Sequence, residues 1–531
     1  GCAASAVRPA RSPRVVAPSE PGSVVRVEER VRELAKTQPD QLAVVIGGRH
    51  CTYRELDQAA DRATSGLALS GVGPGDRVAW LGRNGIAYVV TSLAVRRRGA
   101  CLVSLNWRDQ AAELRRACDL VTPTVLIADA PNADAAAELS WSIPQVVTVE
   151  PGELPFFQFT ADPQDVLSAA DSDDCCLYFT SGATGRPKVA LHSYGRMNQA
   201  LNSSNVLGFG PGTRSLIIPP VFHVAGAVWV AQSLLSGSTI VFDSGELTIL
   251  ELIAETGVTH ALMVPTLIQM VLAEQQQTGR STPALQLIAY GTSPITSSLL
   301  AEAMARLGCS FTQMYGTTEA GGVITSLTVD DHLADGAGSG RLRSAGRPLP
   351  GIEVKVTDPA SGADLGVGQI GELVARAPWM MRGYWHDPEA TAAIVDGDGW
   401  LHTHDAARLD DDGYVYISGR LDDVIITGGE NVHPGEVEEV MAALPGIVTA
   451  ALVGIPDEHW GEMVAAAVVR DADRELTEQD VIDFCRGRLA GYKCPRRVIF
   501  VDELPRNATG KVVRRGVREL VLSRPPADPV R

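Results

Sequence analysis

The run Tyr178 to Lys188, YFTSGATGRPK, constrains this chain more than any other segment. The apolar stretch just before the loop, Cys175 to Phe179, reads as a buried strand, so the loop leaves a strand end, where α/β folds place ligands. Thr180, Ser181 and Thr184 offer hydroxyls, Gly182 and Gly185 let backbone N–H groups close on an anion, and Lys188 adds a point charge. Those are the parts of a phosphate loop. Its spacing is not that of G-x-x-x-x-G-K-[ST], and nothing hydroxylated follows Lys188. On this segment alone, a plain surface turn stays open as the alternative.

The rest of the chain narrows the choice. With 531 residues, 45% hydrophobic and 21% charged, it exceeds a single core, and its 52 glycines suit an α/β enzyme. A net charge of −17 argues against a nucleic-acid partner, which demands a basic face. Nine cysteines without C-x-x-C spacing fit a reducing, cytoplasmic location. The apolar stretch Leu216 to Leu235 is broken by Pro219, Pro220, His223 and Gln232, so it reads as strand, turn and core helix and not as a membrane span. Arg96, Arg97 and Arg98 read as a solvated helix end. The opening GCAAS formally fits a lipidation signal, but an untidy terminus is the simpler reading.

Helical and β-type segments alternate from about Val24 to Gly419, for example strand-like Arg77 to Leu81 followed by helix-like Ala87 to Arg98. The Gly/Asp/Ser-rich passage Asp335 to Gly346 reads as a flexible connection between sheets. After Arg420 the texture changes to a small unit with strands Ala450 to Gly454 and Val464 to Val469, and a helix from Glu478 capped by Thr477. The expected architecture is α/β: a large N-terminal domain of stacked α/β sheets and a smaller mobile α+β C-terminal domain. Its divisions are a disordered lead-in at 1–21, the large domain at 22–421 and a lid at 422–531, hinged at Asp422.

Three more clusters carry chemistry. In MYGTTEAGG, Thr317 and Thr318 offer hydroxyls and Glu319 a single carboxylate, the usual company of Mg²⁺ beside phosphates; a helix N-cap is the competing reading. In HTHDAARLDDDGYVYISGR, Asp405 suits ribose hydroxyls and Arg420 the same sugar or a phosphate. His402 and His404 lack a third metal ligand, and Asp410 to Asp412 before Gly413 suits a hairpin turn. PRNATGK delivers Lys511 on a polar turn.

In this order, SGATGRPK, YGTTE, the Asp405 to Arg420 segment, GRLDDVIITGGENVHPGEVE and PRNATGK resemble the adenylate-forming superfamily of acyl-CoA synthetases, adenylation domains and luciferases, over about Val24 to Arg515. The resemblance implies ATP, Mg²⁺ and coenzyme A. It puts Thr180, Ser181, Gly182, Ala183, Thr184, Gly185 and Lys188 around the β- and γ-phosphates, and Gly291, Thr292, Ser293, Tyr315 and Gly316 at the adenine. It further implies Thr317 and Thr318 at the α-phosphate, Glu319 on the metal, Asp405 and Arg420 on the ribose and phosphates, and Lys511 as the catalytic lysine. Thr184, Glu319 and Arg420 join Lys511 as catalytic candidates. Asp422 matches the hinge, about which Gly428 and Gly429 turn to wall a pantetheine tunnel. Trp460, Lys493 and Arg496 are candidates for the CoA nucleotide. Two departures stand out: Ala183 replaces a usual threonine, and His404 a usual glycine.

PPVFHVAG offers no carboxylate to pair with an α-amine, so the chain is similar to fatty-acyl- and aryl-CoA ligases rather than amino-acid-activating domains. His223, Val224, Val228, Trp229, Tyr290, Gly291, Met314, Gly321, Gly322 and Val323 are the acyl-pocket candidates, with Trp229 or Tyr290 able to shorten the tunnel. The favoured function is an ATP-dependent carboxylic acid:CoA ligase, fatty acid before aryl acid. The alternatives are an adenylating enzyme that loads a carrier protein and a non-catalytic acyl or nucleotide sensor. A homodimer is left open.

Overall fold

The structure, a computed structural model, describes residues 24–140, 143–149, 169–180, 188–203, 207–335, 340–471, 474–506 and 511–524. Its main strands are apolar at both parities. Val78 and Trp80 face one core while Ala79 and Leu81 face another, and Ile240 and Phe242 are likewise opposed to Val241. A strand buried on both faces belongs inside a layered α/β fold.

Two large sheets result. In the seven-stranded sheet, Gly383–Tyr384 borders Lys188–Ser193, then Asp174–Thr180, Cys101–Leu105, Arg77–Leu81, Val125–Asp129 and Gln145–Val149. The nine-stranded sheet has Leu287–Gly291 parallel to Ser310–Thr317, which turns back antiparallel into Gly322–Leu327. Helices Tyr53–Leu69, Ile86–Arg97 and Val224–Leu235 pack between the two sheets in one continuous core. Thr52 and Glu55 close a reciprocal capping box on the first of these, which fixes where it starts.

An antiparallel four-stranded sheet, Glu353–Thr357, Gly371–Arg376, Leu401–Leu409 and Val415–Arg420, adjoins them. A five-stranded sheet built around Ile447–Asp457 and Gly461–Arg470 forms the smaller C-terminal unit, with its own core. Thr477 caps Glu478–Arg486, as its position predicts. The fold is therefore mixed α/β with a large N-terminal and a smaller C-terminal domain. The short turn Leu421–Asp423, in which Asp422 is exposed, connects the last strand of the four-stranded sheet to the five-stranded sheet.

Two expectations are corrected. Arg96–Arg98 is not a solvated helix end, because its helix is sandwiched between the sheets. Arg97 is 1% exposed and forks onto Asp57 and Asp61, spaced one helical turn apart on Tyr53–Leu69. Arg98 donates to the Val72 carbonyl (2.7 and 3.0 Å), and Arg96 lies over the Tyr194 ring. The segment from Asp335 does not bridge two sheets directly either. Arg347–Pro348 pairs back onto Gly322–Leu327, so the chain first returns to the nine-stranded sheet.

Candidate active site

Ser181, Gly182, Ala183, Thr184 and Gly185 of the loop lie outside the described residues. The strands that flank it, Asp174–Thr180 and Lys188–Ser193, pair as an antiparallel hairpin, with Thr180 opposite Lys188. Lys188 Nζ sits 5.0 Å from the centre of the Tyr384 ring. The Tyr384 hydroxyl donates to Glu319 Oε1 (2.8 Å). Burial and then the Glu319 charge raise the Tyr384 pKa, so that hydroxyl keeps its proton. The two clusters are thus joined through a tyrosine that the sequence reading did not name.

Thr317, Thr318 and Glu319 do not start a helix. Thr317 ends one strand, and Thr318 and Glu319 open the tight turn into its antiparallel neighbour, with Thr317 Oγ1 accepting from Ala320 N (3.1 Å). Buried His192 donates from Nε2 to the Thr318 carbonyl (2.9 Å), and Met381 N donates to the Glu319 carbonyl (2.8 Å). Burial lowers the His192 pKa to about 4, so the ring is neutral at physiological pH. Glu319 Oε1 is engaged by Tyr384, and one carboxylate beside phosphate oxygens is a donor set that fits Mg²⁺.

Gly291 and Gly316 are glycines for want of room. A Cβ on Gly291 would strike the Met314 carbonyl of the neighbouring strand, and one on Gly316 the Gly322 carbonyl. Thr292 follows in the left-handed region (φ 65°), and Ser293 is half-buried. Tyr315 donates its hydroxyl to Asp405 Oδ2 (2.6 Å). Asp405 and Arg420 are direct cross-strand partners, and Arg420 Nη1 donates to Asp405 Oδ1 (3.2 Å) and to the Thr403 carbonyl (2.9 Å). Burial opposes the Arg420 charge, but Asp405 outweighs it and raises the pKa. His404 adopts φ 55°, which explains why glycine suits that position; its neighbour His402 is held by Glu372 (2.8 Å). Among the described residues no cluster of ligands suits a metal around these histidines.

Lys511 approaches this group from the C-terminal unit. The residue as a whole is exposed, but partial desolvation of the ammonium lowers its pKa, and Asp405 opposes that shift. Arg514 anchors the segment by bonds to Asp423 (3.1 Å), in the turn that holds Asp422, and to Glu438 (2.6 Å).

The acyl candidates divide. Val228, Gly321 and Val323 line one enclosed cavity of about 10 Å³, together with Ala200, Ser203, Ala320, Leu349 and Trp379. Gly322 follows Gly321, and Met314 packs against the large core. Tyr290 is fully buried and its hydroxyl is paired with His332 (2.9 Å), while Trp229 is buried with Nε1 donating to Ser215 (2.7 Å). Both rings are packed in the core of the closed structure. Val224 is also core, and His223 caps helix Val224–Leu235, its Nδ1 accepting from Ala225 N (3.2 Å). Burial lowers the His223 pKa and keeps it neutral.

On the thiol side, Gly428 and Gly429 form the exposed turn between Ile425–Thr427 and Glu430–Val432, both with positive φ. A Cβ on Gly428 would press on the Trp460 ring, against whose face Arg496 stacks at 4.1 Å. Lys493 is bound to both oxygens of Glu436 (2.7 Å each), which competes with any role on a phosphate.

Residues 31–385 match the family described as AMP-binding enzyme, and residues 436–511 match the AMP-binding enzyme C-terminal domain. The chain is 37% identical to a feruloyl-CoA synthase from Amycolatopsis sp over 91% of its length and 96% of that protein's. It is 35% identical to the fatty acid–[acyl-carrier-protein] ligase ScoC of Streptomyces coeruleorubidus, over 91% and 94%. Its structure superposes on ATP-bound MatB from Rhodopseudomonas palustris with a TM-score of 0.85 at 30% identity, covering 93% of this chain and 99% of the other. Taken with the hairpin, the Thr317–Glu319 turn and the Asp405–Arg420 pair, these matches place the chain in the AMP-binding enzyme family, in the acyl-CoA synthetase branch of the adenylate-forming superfamily.

Proposed function

We propose that the protein is an AMP-forming carboxylic acid:CoA ligase, and that a fatty acid is its preferred acid. The observation that carries the reading is the Asp405–Arg420 pair, tied to Tyr315, together with the Lys188–Tyr384–Glu319 group; Asp405 and Arg420 both act electrostatically on Lys511. In the first half-reaction the carboxylate attacks the α-phosphorus of ATP and pyrophosphate leaves. Negative charge crowds at the transferring phosphorus, and the Lys511 ammonium stabilises it more in the transition state than in the ground state. Thr318 and Arg420 hold the α-phosphate and sugar, Asp405 takes the ribose hydroxyls, and Lys188 takes the outer phosphates. Glu319 would hold Mg²⁺, which when bound masks phosphate charge.

In the second half-reaction the thiol of CoA gives up its proton, its sulfur attacks the acyl carbon, and AMP leaves. The domain division at Asp422 serves this step: rotation there withdraws Lys511 and brings Gly428 and Gly429 toward the acyl-adenylate. Trp460 and Arg496 then offer an aromatic face and a cation to the CoA nucleotide. The preference for a hydrocarbon acid rests on the material of the cavity wall, largely apolar at Ala200, Val228, Ala320, Val323 and Leu349; at about 10 Å³ the cavity has room for about one water, so an acyl chain requires the wall to open. An aryl acid is the second reading, favoured by Trp379 in that wall and by the likeness to a feruloyl-CoA synthase.

The test is a panel of fatty and aryl acids offered with ATP and either CoA or a holo-carrier protein, scored by thioester mass. Fatty acyl-CoA should dominate. Thioester on the carrier alone would replace the CoA reading with carrier loading, and dominant aryl-CoA would overturn the fatty-acid preference.

A further inference from the structure

The Thr317–Glu319 turn and the strand Lys188–Ser193 belong to different sheets, yet adenylation needs their side chains to act on one triphosphate. Their backbones are tied by His192, which donates to the Thr318 carbonyl, and their side chains are tied by Tyr384. Gly383–Tyr384 pairs antiparallel with Lys188–Ser193, Tyr384 opposite Ala190, and Trp385 N donates to the Val189 carbonyl (2.7 Å). On its other side, Tyr384 N donates to Thr391 Oγ1 (2.8 Å), so the backbone is fixed from both directions. Side chains alternate along a strand, which puts Lys188, Ala190 and His192 on one face. The small Ala190 leaves room for the tyrosine ring, which is 9% exposed and contacts Lys188, while its hydroxyl crosses to Glu319 in the other sheet.

We infer that Tyr384 is a positioning residue with two separable parts: its hydroxyl aims the Glu319 carboxylate at the metal bound to ATP, and its ring seats Lys188 for the outer phosphates. The inference rests on the proposed ATP-dependent ligase reading. A carboxylate with one oxygen held at 2.8 Å by a protonated donor keeps its second oxygen in a fixed direction, and a ring face 5.0 Å from an ammonium restricts where that ammonium sits. His192 and Met381 already pin the backbone of the same turn, so removing the tyrosine hydroxyl frees the carboxylate without releasing the turn.

The experiment measures Kd for ATP by equilibrium dialysis, with and without Mg²⁺, in the wild type, Tyr384→Phe, Tyr384→Leu, Glu319→Gln and the Tyr384→Phe/Glu319→Gln double variant. The quantity read is the factor by which Mg²⁺ tightens ATP binding. Tyr384→Phe should cut that factor by about tenfold, as expected when a partner that orients a ligand is lost, and leave metal-free binding within about twofold. Glu319→Gln should cut it too, and the double variant no further, because both act on one contact. Tyr384→Leu should also weaken metal-free binding, by about threefold, through the lost ring. If Tyr384→Phe leaves the Mg²⁺ factor unchanged, or its effect adds fully to that of Glu319→Gln, the positioning role is refuted while the ligase reading stands. If the wild type shows no Mg²⁺ factor and no pyrophosphate exchange with any acid, the ligase reading falls and the inference with it.

Discussion

Replacing Tyr315 by Phe tests the ribose end of the site with the loss of one atom. The Tyr315 hydroxyl donates to Asp405 Oδ2 at 2.6 Å, and Asp405 is 8% exposed, so water replaces the donor poorly. A hydrogen bond to a charged group contributes about 1.5–3 kcal/mol. Arg420 still holds Oδ1, so the lower end, about 1.5 kcal/mol of folding stability, is expected. The carboxylate also becomes free to rotate away from the ribose hydroxyls. If all of that orienting energy bears on nucleotide binding, KM for ATP rises by at most about tenfold, since about 1.4 kcal/mol corresponds to that factor. Urea titration reads the first quantity and pyrophosphate exchange at saturating acid the second. A variant whose KM rises for the acid but not for ATP would refute the placement of Tyr315 beside the ribose site, and unchanged stability would refute the buried charged bond.

Asp422→Pro should stiffen the Leu421–Asp423 turn, so pyrophosphate exchange persists while acyl-CoA formation falls at least about tenfold, as for hinge substitutions that gate a step; unchanged turnover of acyl-CoA would exclude the hinge. Arg97→Met strands Asp57 and Asp61, with Arg32 alone among the described residues left to pair them, and should cost about 3 kcal/mol by urea titration; a loss under about 1 kcal/mol would mean the guanidinium is not needed to neutralise them. His192, with its folded pKa near 4 against 6.5 for the free residue, takes its proton first in the unfolded chain as pH falls. Its contribution is therefore present above about pH 6.5 and lost toward pH 4, with a slope of at most about 1.4 kcal/mol per pH unit. His192→Gln should flatten that slope in urea titrations run at several pH values, and an unaltered slope would contradict a buried neutral imidazole.

Much of the fold is legible in short-range pattern. Arg77–Leu81 and the strands at Ile447–Asp457 and Gly461–Arg470 announce themselves by apolar runs between turn residues, and Thr477 by its place before a helical period. Asp405 and Arg420 are legible for a similar reason: a predictable hairpin turn at Asp410–Gly413 brings two charged residues face to face. What escapes the sequence is the seam between layers. Tyr384 acquires its meaning only when its strand pairs beside Lys188 and its hydroxyl crosses to another sheet. Trp379 and Leu349 reach the cavity from distant segments, and apolar side chains carry no chemical label of their own. The same blindness to layering made Arg97 look solvated.

In the proposed ligase, one ATP site completed by Lys511 from the smaller domain performs adenylation before a separate thiol step. The most direct measurement is single-turnover analysis of the two half-reactions in wild type and Lys511→Ala, starting once from acid plus ATP and once from supplied acyl-adenylate plus CoA. The account predicts that the variant loses adenylate formation by at least about a hundredfold, the scale of one charge-stabilising group at a transition state, and keeps thioester formation within a few fold. Equal survival of both half-reactions, or equal loss of both, would contradict it.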